Sequence, residues 1–321
     1  MSEQEHWANV SENTTTTGVR ILVKAYRVGG HLLFRVLLAP VICFYFVGNG
    51  RARRASLSYL SHIHRCDPSL PEPRLSNSFK MFWQFGCAIL DKFSVWMGDI
   101  TRKDVVIHCG EIIDELHAQN KGAVILASHF GNFEICRALS QTNQRVKLTV
   151  LVHTKHADKF NKLLSQHGDQ DSIELLQVTE IGASTAIRLS EKIANGELIA
   201  IAADRVPIDS QAMVNMEFFG KPAPFSEGPF VLATALGATV LMLNCVKIDG
   251  RYNIFFDKLS DEGRVGRKQR TEHRRTLARL YVQRLEQLVR LAPLQWFNFF
   301  DFWAENKTPG AEELVSQQAG E

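Results

Sequence analysis

The chain has 321 residues, is 45% hydrophobic and carries a formal net charge of +3. That length and apolar content suffice for one large buried core or two small ones, and so mild a charge excludes a dedicated nucleic-acid binder. Six cysteines, at 43, 66, 87, 109, 136 and 245, include no CxxC pair and no zinc-like spacing, so free thiols in a reducing compartment are expected.

The first 18 residues are polar and threonine-rich, without the pattern of a cleavable signal peptide. An apolar run follows from Leu32 to Val47, interrupted by Arg35 and Pro40. It is short for a spanning helix, which needs about 20 apolar residues. Cations flank it on both sides: Arg20, Lys24 and Arg27 before, Arg51, Arg53 and Arg54 after. A spanning helix shows a one-sided bias, so symmetric flanks favour a segment lying in one leaflet. A buried core helix is the alternative. Residues 1–65 are therefore assigned as an N-terminal membrane-associating region.

Residues 66–104 read as a helical connector. It opens with Pro68, Pro71 and Pro73 and continues as a helix over 79–97 bearing Phe82, Trp83, Phe85, Phe93 and Trp96. From 105 to 303 strand and helix patterns alternate. Strands are expected at 123–127, 148–152, 173–178, 198–202, 239–246 and 252–256. Helices are expected at 133–140, 157–166, 184–194, 229–236 and, long and basic, at 272–291. Such alternation predicts an α/β fold with a central, mostly parallel sheet flanked by helices. Near its end, Trp296, Phe297, Phe299, Phe300, Phe302 and Trp303 crowd together, as at a bilayer interface or in a buried terminal segment. Residues 304–321 form a polar tail.

The segment Ser128-His129-Phe130-Gly131-Asn132-Phe133-Glu134 lies between an expected strand and an expected helix. Histidine is the side chain suited to moving a proton near neutral pH, and a carboxylate that orients its ring makes it a better base. On a helix, five residues turn about 140°, so His129 and Glu134 meet only if the intervening residues form a loop. Gly131 and Asn132 permit one. A plainer reading has Asn132 capping the helix, Glu134 complementing its dipole and His129 as an ordinary loop residue. His153 and His156 have an i, i+3 spacing, but nothing nearby completes a metal site. There is no GxSxG elbow, no GxxxxGK[ST] loop and no GxGxxG fingerprint.

Residues 128–134 resemble the HX4(D/E) motif of the glycerolipid and lipid A acyltransferase superfamily. The resemblance continues through Asp204-Arg205-Val206-Pro207, through 218–225 and through Ser226-Glu227-Gly228-Pro229. Segments 151–156 and 293–303 are similar to a subgroup of acyltransferases associated with aryl-polyene genes or glycosyltransferases. Segment 151–156 departs from the lipid A enzymes themselves. The resemblance implies an O-acyltransferase at the cytoplasmic face of a bacterial inner membrane. Its donor would be a thioester on acyl carrier protein, or acyl-CoA, and its acceptor a lipid hydroxyl. No cofactor or metal is implied. His129 would be the base and Glu134 its partner. Gly131, Asn132, His153, Lys155, Asp204 and Arg205 would bind substrate, with the backbone amides near Gly131 and Asn132 facing the oxyanion. A hydrolase on the same fold and a silent membrane partner are the alternatives. Arg264, Arg267, Lys268, Arg270, Arg274, Arg275 and Arg279 form a basic cluster, read either as a solvated face or as a patch recruiting an acidic carrier or anionic lipid.

Overall fold

The computed structural model describes residues 33, 35–96, 99–133, 135–136, 147–152, 173–177, 183–206 and 212–303. A helix over 35–48, α1, leads into α2 (Gly50–Cys66) and α3 (Leu75–Trp96). The α/β part then runs β1 (Val105–His108), α4 (Glu111–Ala118), β2 (Ala123–Ala127), β3 (Leu148–Val152), β4 (Ile173–Gln177), α5 (Ala183–Ala194) and β5 (Leu198–Ala202). It continues with β6 (Met213–Phe218), β7 (Lys221–Ser226), α6 (Gly228–Leu236), β8 (Thr239–Ile248), β9 (Arg251–Ser260) and α7 (Arg270–Leu291).

Seven strands form one sheet in the order β1-β9-β8-β2-β5-β3-β4. Every neighbouring pair is parallel except β8 and β9. The middle strand, β2, is Ala-Val-Ile-Leu-Ala, and all five residues are buried. A parallel strand covered on both faces reads as a continuous apolar run of this kind. Ala123 and Ile125 pack to one side with Ile135, Leu243 and Ile254. Val124 and Leu126 pack to the other with Tyr59, Phe218, Tyr281 and Trp296. On that second side, α7 buries Leu277, Ala278, Tyr281, Val282, Leu285, Leu288 and Val289, the single stripe of an amphipathic helix.

The expected bounds of β2, β3 and β5 match the observed ones. The sequence reading passed over β1 and the β6–β7 hairpin. This hairpin is a separate two-stranded sheet whose two-residue turn places Phe219 at φ 50 and Gly220 at φ 74. Paired positive φ angles match the right-handed twist of the strands, but phenylalanine in that position advertises no turn. Pro222 and Pro224 further disguise β7, since proline is tolerated only where no ladder donor is needed. The expected helix 157–166 lies outside the described residues. Of 133–140, only Phe133, Ile135 and Cys136 are described, and they are helical.

The N-terminal helices dock on the sheet domain. Asn49 caps α2, its side chain accepting from the Ala52 N–H at 3.0 Å, and α2 buries Tyr59, Leu60 and Ile63. Gly86 of α3 admits α1; a Cβ there would lie 2.7 Å from Ile42 Cδ1. The opposite side of α1 carries Val41, Phe44 and Val47, exposed at 59, 82 and 73%. No helix among the described residues is long and apolar enough to cross a membrane. In the aromatic segment, Trp296, Phe297 and Phe302 are buried, so burial, not a bilayer surface, accounts for those three rings.

Candidate active site

Parallel β2 and β5 are neighbours, with Ala127 opposite Ala202. Both chains leave the sheet at the same edge, and His129 and Asp204 each stand two residues beyond that alanine pair. Equal offsets on adjacent strands bring the two side chains together. The Asp204 carboxylate accepts from the His129 backbone N–H at 2.8 Å, while His129 Nδ1 lies 2.8 Å from its other oxygen. The Trp296 indole N–H donates to the same carboxylate at 3.3 Å.

The Asp204 side chain is wholly buried and the His129 side chain is 40% exposed. Burial pushes the Asp204 carboxyl up, but His129 and the Arg205 guanidinium outweigh it and hold the group below the ordinary carboxylate value. An ionised carboxylate can only accept. Nδ1 therefore carries the proton in the His129–Asp204 bond, and Nε2 is the basic nitrogen.

The loop between β2 and the following helix is non-helical, as the His–Glu spacing required. Gly131 has φ +72, and a Cβ on it would sit 1.9 Å from the Cys245 carbonyl oxygen. Position 131 therefore accepts only glycine without rearrangement. The loop is stitched to distant segments. The Gly131 N–H donates to the Gln295 carbonyl at 2.9 Å, Asn132 N–H to the Cys245 carbonyl at 2.7 Å, and Phe297 N–H to the His129 carbonyl at 3.2 Å. Beneath it, Tyr281 Oη donates to the Ala127 carbonyl at 2.8 Å and Ser128 Oγ bonds the Asn244 side chain.

These bonds give several of the candidate residues partners within the protein. The Gly131 and Asn132 amides, read as oxyanion donors, are committed to carbonyls in this arrangement. The Asn132 side chain, read as a substrate contact, is buried and donates through its NH2 to the Ala88 carbonyl of α3 at 2.9 Å. Asp204, read as a substrate contact, is sealed from solvent behind His129. Arg205 donates to the Phe297 carbonyl at 2.8 Å and lies 5.6 Å from the Phe300 ring centroid. Burial lowers its pKa and Asp204 opposes that shift. Glu134, His153 and Lys155 lie outside the described residues. Trp296, Gln295 and Cys245 were not foreseen as part of the site, because they reach it only through tertiary contacts.

The basic cluster begins, at Arg264, at the far end of the sheet from His129. Ser260, closing β9, pairs with Val240 at the start of β8. A Cβ on Gly237, just before β8, would meet Arg264 Cα at 2.9 Å. The rest of the cluster lies just before and on the first half of α7, which reaches the strand end beneath the histidine loop at Tyr281. Arg274 is paired with Glu227 at 3.2 Å.

A buried carboxylate orienting a half-exposed histidine, at the carboxyl edge of a parallel sheet, is suited to proton transfer in an α/β enzyme. The sequence pattern of the bacterial lipid A biosynthesis acyltransferases matches residues 78–304, and the chain belongs to that family. It is accordingly an acyltransferase, of a family whose reaction is acyl transfer to a lipid acceptor. No curated protein matches the chain.

Proposed function

We propose that the protein moves a fatty or aryl-polyene acyl chain from acyl carrier protein to a hydroxyl of a lipid or glycolipid, at the cytoplasmic face of a bacterial inner membrane. The observation that carries this reading is the His129 ring held through Nδ1 by buried Asp204. His129 Nε2 takes the proton from the acceptor hydroxyl as its oxygen attacks the thioester carbonyl. The tetrahedral adduct then collapses, and the departing thiolate recovers the proton from the imidazolium. The new ester and the free carrier thiol leave, with no covalent enzyme intermediate. Asp204 keeps Nε2 unprotonated before attack and stabilises the imidazolium afterwards. It thus fills at Nδ1 the part that motif spacing assigned to Glu134, which stays in this scheme as a second carboxylate supporting the imidazolium. Arg205, His153 and Lys155 would shape the donor or acceptor site.

Membrane association has its own support. Val36, Val41, Phe44 and Val47 on α1, with Ile89 on α3, are exposed, and α3 also holds Asn132 of the histidine loop. An apolar helix face beside the site suits an enzyme that takes its acceptor from a lipid surface.

Comparing the lipids of a deletion strain complemented with wild type or His129→Ala tests the reading. A lipid ester present with wild type and missing with the variant is expected. Free fatty acid released in its place would make the protein a hydrolase.

A further inference from the structure

β8 is ten residues long and its neighbour β2 only five. Their pairing ends at Leu126 and Met242, because β2 leaves the sheet just beyond, as the histidine loop. The stretch of β8 from Leu243 to Ile248 therefore overhangs. β9 holds it on one side. On the other side its main-chain N–H and C=O groups need partners from outside the sheet. In a strand these groups point to alternate sides, residue by residue, so Cys245 and Lys247 offer theirs to the same side.

The two residues are taken up differently. The Cys245 carbonyl accepts the Asn132 N–H at 2.7 Å. At Lys247 a side chain stands in for the missing strand. The Lys247 N–H donates to Gln295 Oε1 at 2.9 Å, and Gln295 Nε2 donates to the Lys247 carbonyl at 2.7 Å. An amide carries an acceptor and a donor side by side, the complement of one residue's main chain. Gln295 also begins the segment that grips His129. Phe130 faces Trp296 in an antiparallel bridge. On its two flanks the Gly131 N–H donates to the Gln295 carbonyl and the Phe297 N–H to the His129 carbonyl. The Trp296 indole N–H reaches Asp204. Segment 295–297 thus holds both the main chain of His129 and the carboxylate that orients its ring, and the Gln295 side chain fixes that segment to β8.

We propose that Gln295 is a positioning residue for His129. Its side chain clamps 295–297 to the end of β8, and the clamp keeps the His129 ring within bonding distance of Asp204. It acts through the loop main chain and Trp296, not on the substrate. The proposal rests on His129 being the base of the acyl transfer.

Gln295→Met nearly keeps the length of the side chain and loses both bonds to Lys247. The protein should still fold, because the Tyr59 hydroxyl continues to hold the Pro293 carbonyl and Arg205 the Phe297 carbonyl. Two measurements on purified full-length protein in detergent read the effect, with a thermal melt to show folding. The first is steady-state acyl transfer from a carrier-linked acyl thioester to a bacterial lipid extract. There kcat should fall by on the order of 10- to 100-fold, as for a base displaced by about 1 Å, with KM within about threefold. The second is NMR of protein carrying isotope-labelled histidine, at a pH where the imidazoles are neutral, with His129→Ala assigning the signal. Wild type should show the ring proton on Nδ1 alone, and Gln295→Met a mixture with the Nε2 tautomer. A merely structural role would lower the melting temperature and leave kcat and the tautomer as they are. If Gln295→Met does not fold, Gln295→Glu replaces it with the same outcomes expected, since an ionised carboxylate cannot donate to the Lys247 carbonyl. A folded variant with wild-type kcat, with a raised KM alone, or with an unshifted tautomer would overturn the proposal. Absence of ester from the wild type would overturn the acyl-transfer reading instead, and the tautomer comparison would still decide on Gln295.

Discussion

Replacing Asp204 by asparagine changes one buried atom and should stop the reaction. In the native protein one Asp204 oxygen receives two donors, the His129 backbone N–H and the Trp296 indole N–H, and the other faces Nδ1. An asparagine that keeps its oxygen toward the two N–H groups must turn its NH2 toward Nδ1. Nδ1 then becomes an acceptor and the ring proton moves to Nε2, the nitrogen that should take the substrate proton. The opposite flip sets an NH2 against two donors. Either way the base is lost, which costs on the order of 10²–10⁴ in rate, with the upper end expected when the wrong tautomer is locked in. Losing hydrogen bonds to a charged group costs about 1.5–3 kcal/mol in stability, partly offset because a buried charge is removed. The measurement is kcat with saturating acyl donor, alongside circular dichroism and a thermal melt. Asp204 acts through His129, so the double variant Asp204→Asn/His129→Ala should be no slower than His129→Ala alone. A folded Asp204→Asn protein with kcat within threefold of wild type would refute the reasoning, and a raised KM at unchanged kcat would return Asp204 to a substrate-binding role.

Gly131→Ala should lose activity and melt well below wild type, since its Cβ would be placed 1.9 Å from the Cys245 carbonyl oxygen at φ +72; a normal melting temperature would show that the loop relaxes freely. Phe44→Ser/Val47→Ser should shift the protein from the membrane pellet toward the supernatant in flotation assays, because both side chains are mostly exposed; unchanged flotation would move the membrane contact off α1. Reversing Arg267, Lys268 and Arg270 to glutamate should leave the KM for a carrier-linked donor within about twofold, because these residues precede Tyr281, the α7 side chain beneath the histidine loop, by at least eleven positions, about 16 Å of helix. A large, salt-sensitive rise in KM would show instead that this end of the molecule docks the carrier.

Local signals made much of this legible. The apolar runs of β2, β3 and β5 gave their own bounds, since strands buried on both faces need little beyond continuous hydrophobicity. His129 stood out because of its place after β2, and Asp204 because it follows β5. Their pairing was not visible. It depends on β2 and β5 being neighbours in the sheet though 70 residues separate Leu198 from Ser128, and strand order is not written in local pattern. The same holds for the capture of the Gly131 and Asn132 amides by Gln295 and Cys245: their availability to an oxyanion was read from a helix start, and segments over a hundred residues away decided otherwise.

The most direct test of the central claim is a reaction with purified protein in lipid vesicles, supplied with carrier protein bearing a labelled acyl thioester and a bacterial lipid extract. The account predicts labelled lipid ester with the wild type, and none above background with either His129→Ala or Asp204→Asn. Labelled ester formed at wild-type rate by the folded Asp204→Asn variant, or label appearing only as free acid, would contradict it.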